Sequence, residues 1–172
     1  MSALQINSAE IFNTLKKAGI DEDQYQWTGF ITGAVAKGIS PGSSDLSRHI
    51  SDILNNKTPL PGILSAFFTT LAIKVQKELD NDSGDFFFLP QEGNDLQTLT
   101  ALSDLCAGLC LGLSLSPDQG VVSKITSPEL ADFIKTLGSI ADVDTQGPTD
   151  PEDLKAVVDY MSSQLRLIYR KR

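Results

Sequence analysis

Two apolar segments of the sequence each contain a pair of glycines spaced four residues apart: Gly29 with Gly33, and Gly108 with Gly112. Both segments have helical periodicity, although glycine weakens a helix interior by about 1 kcal/mol relative to alanine. Residues four apart lie on one face of a helix, so each pair leaves a strip without side chains that another backbone can approach closely. We therefore predict that the second and fifth helices pack against each other at these glycines.

The rest of the sequence is also helical in pattern. Apolar residues recur at helical spacing in seven segments, which begin near Ser8, Asp21, Ser43, Pro61, Leu96, Ser127 and Asp150. No stretch of any length alternates between apolar and polar residues as a strand would, and no linker divides the 172 residues. The sequence predicts an all-α fold, with residues 1–172 forming one domain, a bundle of about seven helices.

The segment from Asp80 to Asp95 differs from the helices around it. It is rich in turn-forming residues and carries an aromatic run in its middle: Phe86, Phe87, Phe88, Leu89 and Pro90. We predict a long loop with an extended centre that lays some rings on the core, because three exposed rings would form an unusual apolar patch. The run is also a candidate interaction loop.

Charge limits the range of partners. The net charge is −8 and the pI is near 4.5, so the surface repels nucleic-acid phosphates and suits a basic protein partner. The longest apolar run, Leu99 to Leu115, contains Asp104 and is at the short limit of a membrane span, so a buried central helix is the better interpretation. The first residues lack a basic region followed by a long apolar stretch, so no secretory signal is expected.

The only two cysteines, Cys106 and Cys110, are four residues apart. Their Cβ atoms would be about 5–6 Å apart on a helix, whereas a disulfide needs about 3.5–4.5 Å. Free thiols of this kind indicate a reducing compartment, hence the cytoplasm. Two sulfur ligands on one helix face do not complete a structural zinc site, which needs four ligands, so buried packing residues are expected.

Other candidate residues have two interpretations. His49, the only histidine, shares a helix face with Asp45 and Asp52; it is either a base oriented by carboxylates or a solvated surface residue, and the second is favoured because no nucleophile lies nearby in sequence. The basic residues near the end of the sequence either bind an acidic partner or stay solvated beside the C-terminal helix dipole. They are Arg166, Arg170, Lys171 and Arg172.

Two segments resemble a known family. They are QWTGFITGAVAKG (Gln26 to Gly38) and FFFLPQEGNDLQTLTALSDLCAGLCLGLSL (Phe86 to Leu115). Together with the later helices around PELADFIKTLGSIADV and PEDLKAVVDYMSSQLR, they resemble the YgfB-like members of the YgfB/YecA family of small, largely uncharacterised bacterial proteins. The resemblance covers nearly the whole chain, and its motifs are structural. It implies an all-helical cytoplasmic protein that forms a homodimer.

The chain departs from the family pattern at several polar positions. Thr28 stands where the family often has His, Leu109 where it often has Trp, and Thr98 and Thr100 near a common Arg. If the family's His, Trp and Arg side chains form a site that its members share, this chain has lost that site. Longer YecA relatives add a Cys-rich metal motif that is not present in these 172 residues, so no metal or other cofactor is expected.

Two hypotheses for function follow. The favoured one is a non-enzymatic, dimeric protein-interaction or regulatory module that binds a basic regulatory protein, with neither direct nucleic-acid nor membrane binding. The alternative is an enzyme whose carboxylates, or Ser and Lys groups, come together from several helices. No phosphate-binding loop, nucleophile elbow or HExxH motif is present in the sequence.

Overall fold

The computed structural model describes residues 8–19, 24–54, 57–81, 95–115, 127–142 and 151–171. These residues contain seven α-helices and no strand, so the predicted all-α class is confirmed. The helices are α1 (Ser8–Lys17), α2 (Gln24–Ala36), α3 (Ser44–Leu54), α4 (Gly62–Asp80), α5 (Asp95–Leu113), α6 (Ser127–Ala141) and α7 (Pro151–Lys171). The predicted aromatic run from Phe86 to Pro90, and its assignment as a loop, lie outside the described residues.

The core forms around α2 and α5, the two most apolar helices. On α2, Phe30, Ile31, Ala34 and Val35 are almost completely buried, and on α5 the same holds for Leu105, Cys106, Leu109 and Leu113. A helix that is apolar nearly all round is typical of the centre of a bundle. Helices α4 and α7 pack against α2, α6 packs against α5, and α1 packs against α4.

The contact between α2 and α5 is a contact of backbones. A Cβ placed on Gly33 would lie 2.8 Å from the Leu113 amide nitrogen and 2.9 Å from the Leu109 carbonyl oxygen. A Cβ placed on Gly29 would overlap the Leu105 carbonyl oxygen. A Cβ placed on Gly108 or Gly112 would overlap a carbonyl oxygen of α2, that of Gln26 or Phe30 respectively. All four glycines therefore lie where the two helices meet, and their missing side chains permit the approach.

The aromatic residues of α2 and α4 form a second contact. The Trp27 ring meets the Phe67 and Phe68 rings edge-on, at centroid distances of 5.2 and 5.6 Å. Edge-to-face pairs at such distances are favourable because the positive ring edge faces the negative ring face. This cluster packs α4 against α2.

The last turn of α2 is closed by Gly38, two residues after the helix ends. Gly38 has a φ of 110°, its amide donates to the Val35 carbonyl, and the Ile39 amide donates to the Ala34 carbonyl. This pair of bonds is the Schellman motif, which satisfies the last carbonyls of a helix. The Lys37 ammonium donates to the Leu113 carbonyl at 3.1 Å, so the C-terminal ends of α2 and α5 are tied together.

Three side-chain contacts, in addition to the apolar packing, connect α6 to α5 and α7 to α5 and α4. The Ser103 hydroxyl of α5 donates to the Ala141 carbonyl of α6. The Cys106 Sγ atom lies 3.9 Å from the Met161 Sδ atom of α7, and the Tyr169 hydroxyl donates to the Asp80 carboxylate of α4 at 2.6 Å. Both ends of the buried side of α7 are thereby anchored.

Candidate functional site

The predicted site residues separate into two groups in the structure. Gly29, Gly33, Gly108 and Gly112 line the contact between α2 and α5, where no ligand could enter without separating the helices. The candidate interaction loop, Phe86 to Pro90, lies outside the described residues.

His49 is not the solvated surface residue that the sequence favoured. It is half-buried, and its Nε2 atom is buried without a hydrogen-bond partner among the described residues. Burial lowers the pKa of His49, Arg48 lowers it further, and Asp45 and Asp52 oppose both. Asp45 also lies 3.6 Å from the Arg48 guanidinium. The lowered pKa favours the neutral imidazole, and the expectation of a solvated side chain was wrong because Nε2 is buried.

The two cysteines are free thiols. Cys106 is fully buried, and this burial, followed by the effect of Cys110, raises its pKa to about 12. Cys110 is half-buried, its Sγ atom lies 3.6 Å from the Ile134 carbonyl oxygen, and burial raises its pKa as well. Reactive cysteines need a lowered pKa, so both thiols serve as packing groups.

Among the described residues, Lys37 is a further titratable group with a shifted pKa. Burial lowers the pKa of its ammonium, which is bonded to the Leu113 carbonyl. Lys37 directly follows α2, His49 lies on α3 and Cys106 lies on α5, so these three groups belong to different parts of the chain. Within the six described ranges, no group of His, Cys, Asp and Glu side chains could hold a metal ion.

The basic residues of α7 have different environments. Arg170 is exposed, whereas Arg166 is only 9% exposed, so the expectation of a solvated side chain is wrong for Arg166. It follows Leu165 directly and lies one turn after the buried Ser162. The long aliphatic stem of arginine can be buried together with such neighbours.

The outer face of α7 is the feature that the sequence analysis missed. Six exposed residues follow one another at alternating spacings of three and four along this helix, and we call them the α7 outer stripe. They are Asp153, Ala156, Tyr160, Ser163, Leu167 and Arg170. Alternation of three and four is the spacing that places residues along one seam between two helices.

Two large apolar side chains lie in the α7 outer stripe. Tyr160 is 41% exposed and Leu167 is 39% exposed. The Tyr160 ring rests edge-on against the Phe133 ring of α6, at a centroid distance of 6.0 Å, so one of its sides is supported and the other faces solvent. Beside the stripe, Val157 and Gln164 are half-buried.

Comparison with known proteins identifies a fold. The crystal structure of the lpg0076 protein from Legionella pneumophila is similar to this chain with a TM-score of 0.64 and 18% sequence identity, over 95% of this chain and 93% of that one. At this identity the similarity shows the fold alone. The sequence matches no protein-family model and no curated protein. Among the helices that the structure describes, none combines the length and apolar character required to cross a bilayer.

Proposed function

We propose that this chain is a YgfB-like, non-enzymatic protein that dimerises and binds another protein in the cytoplasm. The observation that carries the proposal is the contrast between its interior and its surface. The titratable groups with shifted pKa values are dispersed, and burial is the first cause of each shift. Large apolar side chains, in contrast, remain on the outside of α4, α5 and α7: Ile63, Ile73, Leu111, Tyr160 and Leu167.

This contrast supports an interaction module because catalysis and binding need different arrangements. An enzyme brings titratable groups together in a cleft and shifts their pKa values through one another. A protein-binding surface keeps apolar side chains accessible and surrounds them with polar ones. The exposed apolar side chains of the described residues support the second arrangement for this chain. The segments Gln26 to Gly38 and Phe86 to Leu115 support the assignment to YgfB-like proteins.

The partner that we propose is a basic regulatory protein. The net charge of −8 would attract it from a distance, and such steering raises the association rate more than the affinity. Because the Debye length falls from about 10 Å at 0.1 M salt to about 3 Å at 1 M, the association should slow as salt rises.

The experiment is a tagged pull-down from the native cell with identification by mass spectrometry, followed by measurement of association rates against ionic strength with the purified partner. We expect a protein with a basic surface whose association rate falls steeply between 0.05 and about 0.5 M salt. A salt-independent rate would reject the electrostatic part. Turnover of a small molecule that one side-chain substitution abolishes would reject the non-enzymatic assignment.

A further inference from the structure

We propose that the α7 outer stripe is a self-association surface, on which α7 of one copy packs antiparallel to α7 of a second copy. The inference rests on the proposed function, because it names the face through which the proposed dimer forms. Its basis is the order in which charged, small and large side chains follow one another along the six exposed residues of the stripe.

The spacing of the stripe matches a helix-pair seam. Residues 153, 160 and 167 are seven apart, as are residues 156, 163 and 170, and the two sets alternate. These are the a and d positions of a heptad repeat, which face a partner helix in a coiled coil. The six positions extend over about 26 Å of helix at 1.5 Å per residue.

The residues in these positions are complementary to themselves. In a symmetric antiparallel pair, the first position of the stripe in one copy faces the last position in the other, the second faces the fifth, and the third faces the fourth. Each of these contacts occurs twice. The residues that face each other are therefore Asp153 and Arg170, Ala156 and Leu167, and Tyr160 and Ser163. Each large apolar side chain thus faces a small one, and each carboxylate faces a guanidinium.

Charge selects this direction of pairing. In a parallel pair, Asp153 would face Asp153 of the second copy and Arg170 would face Arg170, and like charges at an interface are costly. In the antiparallel pair, both ends carry opposite charges instead. The wider helix has the same polarity: its first half carries three acids (Glu152, Asp153 and Asp159) and one base (Lys155), and its second half carries three bases (Arg166, Arg170 and Lys171) and no acid. A second copy is therefore the occupant that the charges of this face fit.

The size of the surface indicates a weak dimer. One helix pair of this length is at the small end of specific interfaces, below about 1,200 Å², where transient complexes are found. We expect a concentration-dependent dimer with a dissociation constant on the order of micromolar, as is usual for weak complexes. The half-buried Val157 and Gln164 flank the stripe and would lose further solvent exposure.

The test is sedimentation velocity of the full chain from about 1 to 200 µM, with four variants whose fold is checked by circular dichroism. D153R and R170D should each raise the dissociation constant at least about tenfold, because each creates two like-charge contacts. The double variant D153R/R170D should bring it back to within about threefold of the original value, because the opposite charges face each other again. Lys16→Asp is the matched control, since it also reverses the charge of an exposed residue but lies on α1, and it should leave the dimer intact.

A chain that stays monomeric at 200 µM would overturn the inference, and so would a dimer that Lys16→Asp disrupts while D153R and R170D do not. A double variant that stays as weak as the single ones would overturn the antiparallel register. The proposed function fails separately: a folded chain that dimerises through α7 yet captures no partner, or turns over a substrate, contradicts that proposal and leaves this inference supported.

Discussion

Alanine in place of Gly112 tests the backbone contact between α2 and α5. A Cβ at this position would overlap the Phe30 carbonyl oxygen and lie 2.8 Å from the Ala34 amide nitrogen. The second distance alone must grow by about 0.6 Å to reach the 3.4 Å of an ordinary contact. Both obstacles are backbone atoms of a buried helix, so the helices themselves must separate.

The energy of that separation outweighs the gain in helix propensity. A gap of about 0.5–1 Å forfeits a quarter to a half of the dispersion energy of the atoms that face it, and overpacking a well-packed core costs about 1–3 kcal/mol. Alanine also favours the helix by about 1 kcal/mol over glycine. After the propensity gain is subtracted, we expect Gly112→Ala to lower the free energy of unfolding by up to about 2 kcal/mol, which is up to roughly 8 °C in Tm for a chain of this size.

Gly138 provides the matched control within the same chain. It lies inside α6, and a Cβ placed there would meet nothing within 4 Å. Gly138→Ala should therefore raise the free energy of unfolding by about 0.5–1 kcal/mol through helix propensity alone. Urea titrations followed by circular dichroism measure both variants. If Gly112→Ala is as stable as the original chain, or moves in the same direction as Gly138→Ala, the backbone contact is not as described.

Two further variants test other contacts. Tyr169→Phe removes the hydrogen bond to the Asp80 carboxylate and should lower the free energy of unfolding by about 1.5–3 kcal/mol, as bonds to charged groups do; an unchanged urea midpoint would show that this bond contributes nothing. The pKa of Cys106 is raised from 9.0 to about 12 in the folded chain, so its contribution to stability is fully present below pH 9 and is lost as the pH rises toward 12. The original chain should therefore lose stability between pH 9 and 12 more steeply than Cys106→Ala, and equal slopes in urea titrations across this range would contradict the burial of the thiol.

Features that depend on local pattern were predictable from the sequence. Helical periodicity gave the seven helices, and the spacing of Gly29, Gly33, Gly108 and Gly112 indicated the two elements that meet without side chains between them. The stop of α2 at Gly38 followed from the backbone freedom of glycine.

Features that depend on what other helices cover were not predictable. His49 and Arg166 were expected in solvent, and both are shielded by elements that no local pattern identifies. The α7 outer stripe was missed for the same reason. Met161, Leu165 and Ile168 make the inner face of α7 the more apolar one, so the heptad spacing of Tyr160 and Leu167 became informative only once the structure placed them outside.

The contact between α2 and α5 has a consequence for the growing chain on the ribosome. Lys37 and its acceptor Leu113 are 76 residues apart. At a synthesis rate of about 5–20 residues per second, the glycine strip of α2 waits roughly 4–15 s for its partner helix. During that interval α2 can form its aromatic contact with α4 but leaves its bare backbone side uncovered. Factors that protect nascent chains would find that side available for seconds in every round of translation.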